Sequence, residues 1–464
     1  MISSRVLRAL LVSAVLALAL GLRIGYAQTT PYRAVNDAGT YNRLASMVAQ
    51  HGDYATGNAP GSGAAGSRGP TAYFPPGFPY VLALTDIVDG HQSGHRAAIA
   101  GERTAMAVIG TISVGLLGLV ALEACGGLVA LLAMLLAAVY PVMIELSGTL
   151  VAENVIVTLE LAAAWAALRA RRSPRPLVWL AGAGALTGLA TLTHQNAILL
   201  LIPLAAATVS ALRRGTGSPR DVSVAASARR LAGGIAVLIA ATVVVIAPWT
   251  IRNANELHAF VPVSTETGIT LVGTYNHESA SDAAVPYQWR FVIKLPEDRA
   301  LLRHVGRLDE VALSDRLQSQ ALAYISAHPS APLQAGYHNL LRMLELEGGG
   351  AWHASAAAVG LSVDTARSGV IGFWLIAVLA LLGLPTRSAR SVPRWLWGFP
   401  VLMALSVVFV NVETPRFREP VDPFLLLLAA CALGAGLARV GHRAGWGRGG
   451  AGGAWSGRRG RGRD

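Results

Sequence analysis

The stretch Thr104–Leu122, TAMAVIGTISVGLLGLVAL, runs for 19 residues without one charge. A helix that crosses the hydrocarbon core of a bilayer needs about 20 mostly apolar residues. Glu102 and Arg103 precede the stretch and Glu123 ends it, so it reads as one span over 100–122. Similar apolar runs lie at 6–26, 126–143, 151–169, 176–193, 196–212, 231–249, 369–385, 395–411 and 420–438. Backbone exposed to lipid must satisfy its own hydrogen bonds, which leaves helices as the form for runs of this length. The expectation is an all-α polytopic membrane protein with about ten transmembrane helices. Gly25-Tyr26-Ala27 before Gln28 mimics a small-residue cleavage site, so a cleaved signal peptide is the alternative to a retained first span.

Composition agrees with this. Of 464 residues, 53% are hydrophobic and 14% charged, against about 25% charged in soluble domains. The mean hydropathy is +0.48. So few charges could hardly cover the surface of a soluble protein of this size. That excludes an ordinary soluble enzyme, and it excludes a nucleic-acid partner despite the net charge of +12. Cys125 and Cys431 both sit in apolar segments, which argues against a disulfide framework or a zinc site. Of 38 basic residues, 37 are Arg and one is Lys, Lys294.

The arginines orient the spans. With the N-terminus in the cytoplasm, the inner segments carry 21 Arg opposed only by Glu123, Asp221 and Asp464, as the positive-inside rule requires. Ten spans return the C-terminus to the cytoplasm. Long outer segments remain at 28–96 and 250–368. The expected organisation is a transmembrane catalytic module over 1–249, with its first outer loop at 28–96. An extracytoplasmic domain follows over 250–368, mixed α/β or mainly helical. Transmembrane helices occupy 369–438, and a disordered basic cytoplasmic tail, drawn to anionic lipid, occupies 439–464.

The chemistry should face outward, where the long loops lie. Asp37 opens a short amphipathic pattern in which Tyr41, Leu44, Ala45 and Val48 share a face. Its carboxylate is either a helix cap or a general base at the membrane boundary. A Gly/Ala/Ser-rich flexible insert spans Gly57 to Pro70. Tyr73-Phe74-Pro75-Pro76-Gly77-Phe78-Pro79-Tyr80 then forms an interfacial turn, because prolines this dense cannot sit inside a helix. Glu153, after Ser147-Gly148-Thr149, lies at the outer start of a span. It is either a first-turn acid favoured by the helix dipole or a functional carboxylate. Glu160 follows on the same face and needs a partner from another span. His194 ends another span at the outer side, where a satisfied interfacial histidine is the plain alternative. Arg252, in Pro248-Trp249-Thr250-Ile251-Arg252-Asn253, either grips a phosphate or snorkels to the headgroups. Arg416 and Arg418, in Glu413-Thr414-Pro415-Arg416-Phe417-Arg418-Glu419, either clamp a phosphate through forked donors or pair with Glu413 and Glu419. Arg103 beside Glu102 is a further cation at a span end. Residues 311–346, with His328-Pro329 between two helical patterns, read as soluble amphipathic packing.

These segments, in this order, resemble the GT-C class of integral membrane glycosyltransferases. They are most similar to glycosyltransferase family 39 and the aminoarabinose-transferase-like, or protein O-mannosyltransferase-like, proteins. The matching pieces are the Asp37-x-x-x-Tyr41-x-x-x-Ala45 helix with its Pro-Pro-Gly segment and the Ser-Gly segment before Glu153. Next come Leu186 to Asn196, Pro248 to Asn253, and the Arg416-Phe417-Arg418-x-Pro420 run. His194 and Gln195 stand where that family has Arg-Pro. The resemblance implies a GT-C fold and a polyprenyl-phosphate sugar as donor. It also implies a lipid, glycan or protein acceptor and an inverting transfer on the outer face of the plasma membrane. Asp37 would be the catalytic base, with Glu153 a second acid. Arg252, Arg416, Arg418 and Arg103 would hold the donor phosphate, and Tyr41 and His194 would line the substrate pocket. No cofactor is required; the outer carboxylates are compatible with a divalent metal, but no ligand spacing demands one. A transporter or flippase of a lipid-linked sugar is the rival reading, and a lipid-linked oligosaccharide ligase or polymerase the nearer enzymatic one.

Overall fold

The structure, a computed structural model, describes residues 4–56, 69–90, 95–212, 224–295 and 309–443. In chain order the helices are α1 (Ser4–Thr29), α2 (Asn36–His51), α3 (Gly77–Val88), α4 (His95–Cys125), α5 (Gly127–Val139), α6 (Pro141–Leu146), α7 (Glu153–Ala170) and α8 (Pro176–Thr193). They continue as α9 (Leu201–Leu212), α10 (Val224–Leu257), α11 (Thr267–Thr274), α12 (His277–Ala280), α13 (Glu310–Ala327), α14 (Ala331–Met343) and α15 (Gly349–Val359). The last four are α16 (Val363–Gly383), α17 (Arg387–Ser391), α18 (Gly398–Val408) and α19 (Asp422–Arg443). The strands among the described residues are β1 (Ala55–Thr56) and β2 (Gly69–Pro70), an antiparallel pair joining the ends of the Gly-rich insert. Residues 57–68 of that insert, expected to be flexible, lie outside the described residues.

All ten expected spans fall on helices, and the protein is a multi-pass all-α membrane protein. Among the described residues, seven helical segments are long and apolar enough to cross a membrane: α1, α4, α8, 195–212, α10, α16 and α19. Three expected spans fall short of that measure for visible reasons. Helix α5 has 13 residues. The segment Arg394–Val408 is apolar but short. Helix α7 has 18 residues but carries Glu153, Glu160 and Arg169. One boundary needs correction, because α19 continues to Arg443 and makes the first residues assigned to the tail helical. Residues 444–464, the rest of that expected tail, lie outside the described residues.

Among the described residues, three of the five apolar clusters position the site. The largest fills the bundle between α1, α4, α5, α7, α8, α9, α16, α18 and α19. A second lies under the first outer loop and joins Tyr41, Tyr54, Phe74 and Phe78 to Trp249 of α10. Gly77 permits this: a Cβ there would meet Thr193 Oγ1 at 2.6 Å and the Leu192 carbonyl oxygen at 2.8 Å, so α3 rests directly on the end of α8. The third cluster is local to the second outer segment, with Val272, Tyr275, Tyr287, Leu313 and Leu317 at its centre.

The two outer segments are stapled together. The Glu310 carboxylate accepts from Thr71 Oγ1 at 2.5 Å, Ala72 N at 2.9 Å and Thr265 Oγ1 at 2.7 Å. Thr265 N donates to the Ala72 carbonyl at 2.9 Å. Trp249 Nε1 donates to the Val263 carbonyl at 2.6 Å. A single orientation of the bundle must therefore put both segments on the same side. Impermeant thiol labelling of single-cysteine variants checks this, with Cys125 and Cys431 first replaced by Ser. Gln50→Cys and Ser281→Cys should label in intact cells and Ser173→Cys only after lysis; opposite results for Gln50 and Ser281 would break the arrangement.

Candidate active site

Both outer segments and the ends of α8, α18 and the final loop enclose a cavity of about 660 Å³. Asp37, His194, Glu266, Lys294, Glu413 and Arg416 supply its chemistry. Arg416 is the hub. Its Nη1 donates to Asp37 Oδ2 at 2.7 Å and its Nε to Glu153 Oε1 at 2.7 Å. Arg416 and Glu153 are buried, whereas the Asp37 side chain keeps 37% exposure. Asp37 therefore presents a carboxylate to the cavity while its orientation is fixed from behind. The cap reading of Asp37 does not hold. The N-cap of α2 is Val35, and no side chain caps the helix.

The cations expected beside one phosphate do not converge. Arg416 and Arg418 lie on one 3-10 turn, Arg416–Arg418. With three residues per turn, positions two apart point to different sides. Arg418 turns away from the cavity to Glu345 Oε1 at 2.7 Å, Asp422 Oδ1 at 3.2 Å and the ring of Phe373. Arg252 donates at 2.7 Å to the carbonyls of Thr71 and Tyr54 and stacks on Trp249, which clamps the first outer loop to α10. Arg103 donates to the carbonyls of Gly148 at 2.6 Å and Thr30 at 3.0 Å. These three are committed to backbone or buried carboxylates, and none lines the cavity. Tyr41 is also displaced from its expected place. It packs behind the wall against Phe74 and Phe78, with ring centroids at 4.6 and 5.0 Å, while Tyr73 and Phe74 face the cavity.

His194 does line the cavity. Burial lowers its pKa, so the ring is neutral at pH 7. Glu160 is buried in α7, and among the described residues neither oxygen has a hydrogen-bond partner. No three His, Cys, Asp or Glu side chains among the described residues come together as a metal would need.

Several cavity groups had no motif to mark them. Glu266 precedes α11, and Arg290 and Lys294 come from the connection after α12; Arg290 pairs with Asp282. Among the described residues no carboxylate pairs with Lys294. The usable signal was its status as the lone lysine among 37 arginines. Trp289 is seated by Gly273, where a Cβ would overlap the indole. Four carboxylates, Asp37, Glu153, Glu266 and Glu413, thus surround Arg416.

Burial, with Asp37 adding to it, pushes Glu266 up to about 8 against the pull of Arg416. Burial also pushes Glu413 up to about 7, again opposed by Arg416 and assisted by Asp37. Below pH 7 both are neutral acids, and above pH 8 both are anions. Their folded-state values exceed the unfolded value of 4.5, so their contribution to stability is complete below about pH 4.5 and is lost as pH rises through 7–8. Thermal unfolding in detergent should therefore show decreasing stability from pH 6 to 9, and Glu266→Gln should flatten the slope. An unchanged slope would refute the assignment. Arg416→Ala leaves Glu153 as a buried unpaired charge and should destabilise by about 3–5 kcal/mol, the usual cost of breaking a buried pair.

Comparison with known proteins places this arrangement. Residues 74–246 match the dolichyl-phosphate-mannose-protein mannosyltransferase family. Among curated protein sequences none matches. The fold is similar to that of the Archaeoglobus fulgidus oligosaccharyltransferase. The structure of that enzyme tethered to an acceptor peptide containing the NVT sequon superposes with a TM-score of 0.58 at 14% identity, over 96% of this chain and 51% of that one. Its complex with zinc and sulfate gives 0.51 at 15% identity, over 94% and 50%. Its complex with an inhibitory peptide and a dolichol-phosphate gives 0.50 at 12% identity, over 97% and 52%. The chain thus spans about half the length of these oligosaccharyltransferase structures. It has the GT-C fold and carries, over residues 74–246, the sequence signature of the dolichyl-phosphate-mannose-protein mannosyltransferases.

Proposed function

We propose that the protein is a glycosyltransferase that moves a hexose or pentose from a polyprenyl-phosphate donor to an acceptor on the extracytoplasmic face of the plasma membrane, with both termini cytoplasmic. The observation that carries this reading is the Asp37 carboxylate, accessible in the cavity and held at 2.7 Å by a buried arginine. The archaeal structures with a dolichol-phosphate and with an acceptor peptide support a lipid-phosphate donor and a lipid, glycan or protein acceptor.

In this mechanism Asp37 takes the proton of the acceptor hydroxyl as that oxygen attacks the anomeric carbon. The bond from that carbon to the phosphate oxygen breaks, its electron pair leaves with the polyprenyl phosphate, and the anomeric centre inverts. Glu153 acts through Arg416 and is a positioning residue. Lys294 replaces Arg252, Arg418 and Arg103 as the cation for the donor phosphate, because it lines the cavity and they do not. A preorganised cation is most effective where charge accumulates on the leaving group. Arg416 already neutralises the space between Asp37 and Glu153. The zinc and sulfate complex keeps a divalent metal in view, but no step here depends on one.

Purified protein in lipid vesicles, given radiolabelled polyprenyl-phosphate sugars and an acceptor extract, should transfer label. Asp37→Asn should lower transfer about 10²-fold or more. Full activity in that variant would overturn the base assignment, and sugar-lipid crossing the bilayer without transfer would favour a flippase. Lys294→Ala should lower kcat/KM while Lys294→Arg retains most of it. A loss in kcat marks charge stabilised in the transition state, and a rise in KM alone marks ground-state binding.

A further inference from the structure

Residues 331–347 are folded inside out. Their charges turn inward: His338 Nδ1 meets Glu347 Oε1 at 2.7 Å, Arg342 pairs with the same Glu347, and Glu345 reaches Arg418 at 2.7 Å. The exposed face is apolar. Leu333 is 71% exposed, Tyr337 60%, Leu340 46% and Leu344 38%. Their spacing of four, three and four residues is one stripe of a helix. The exposed residues of α14 carry no charge; Gln334 is the polar one among them. A helix on soluble packing shows the reverse arrangement.

The position of α14 says what covers the stripe. It rests on the outer end of α18: Asn339 Nδ2 donates to the Val408 carbonyl at 2.9 Å, and Gly336 lies against the Phe409 ring. The α18 segment is an apolar segment whose Val401, Leu405 and Phe409 face outward at 53, 49 and 42% exposure. That row points to lipid and runs up to the α14 contact at Phe409. The lipid-facing surface and the α14 stripe are therefore continuous.

We propose that α14 is an interfacial helix, with Leu333, Tyr337, Leu340 and Leu344 buried at the boundary between headgroups and acyl chains of the bilayer leaflet on the cavity side. Such helices seat their apolar face about 5–10 Å into that boundary. Polar contacts of α14 then tie the bilayer to the outer segment and to the turn before α19. Gln334 Oε1 accepts from Tyr287 at 2.7 Å, and the Met343 carbonyl accepts from Arg418 at 3.1 Å. The depth of α14 in the leaflet sets the height of the outer segment over the cavity.

Spin labels at Leu333→Cys, Tyr337→Cys and Leu340→Cys, in a Cys125→Ser/Cys431→Ser background in nanodiscs, test this. Ser319→Cys is the aqueous control, on the exposed face of α13 beside Asp315 and Arg316. The ratio of oxygen to nickel-chelate accessibility should be several-fold higher at the three α14 sites than at 319. A ratio equal to the control would place the stripe in water and overturn the proposal. Exclusion of both reagents would mean that a second copy or another protein covers the face, which overturns it too. The unaltered protein offers an independent readout: a diazirine phospholipid should label the peptide containing 331–346 as well as α18. Label on α18 without label on 331–346 would also overturn it.

Discussion

A buried arginine between two carboxylates holds the candidate site in one geometry. Arg416 joins Asp37 and Glu153 from positions 379 and 263 residues away in the chain. Taking such charges out of water is costly, and ion pairs of this kind contribute little net stability. What the pair supplies is position. The first turn of α2, the start of α7 and the turn before α19 must meet at one point, or a carboxylate is left buried without a partner. Because Asp37 is the partner left partly open, the constraint ends in an oriented, reachable carboxylate.

A second set of contacts frames the cavity around that hub. Arg252 and Trp249 take backbone carbonyls from both outer segments, and Glu310 bridges the same segments from α13. These polar staples fix the two segments against each other. They add to an apolar cluster that already includes Tyr54 and Phe74 of the first segment and Val261 of the second. Trp289, Arg290 and Lys294 are delivered to the cavity by this frame rather than by a span.

The electrostatics of the site follow from crowding. Four carboxylates share one arginine, and the two without a direct bond to it, Glu266 and Glu413, are raised toward neutrality. A neutral acid next to the cavity removes repulsion toward an anionic ligand and adds a donor. Lys294 and the Asp37 carboxylate line the same cavity.

The spans and their order were legible in the residues, because hydropathy over about 20 residues is a local property that the bilayer reads directly. The motif order was legible for the same reason, since each piece is contiguous. Side-chain direction was not. Arg416 and Arg418 look equivalent two residues apart, until the backbone forms a 3-10 turn and sends one to the cavity and the other to Glu345 and Asp422. Arg252 and Arg103 carry the charge a phosphate needs, but unsatisfied carbonyls from distant loops claim them first. Lys294 sits in no motif and reaches the cavity only through the packing of the outer segment. The stripe on α14 shows the same limit: periodicity reveals that a helix has two faces, but only the contacts of Arg342, Glu345 and Glu347 show that the charged one turns inward. Local patterning specifies which elements form, whereas the competition among partners far apart in the chain specifies where each charge is used.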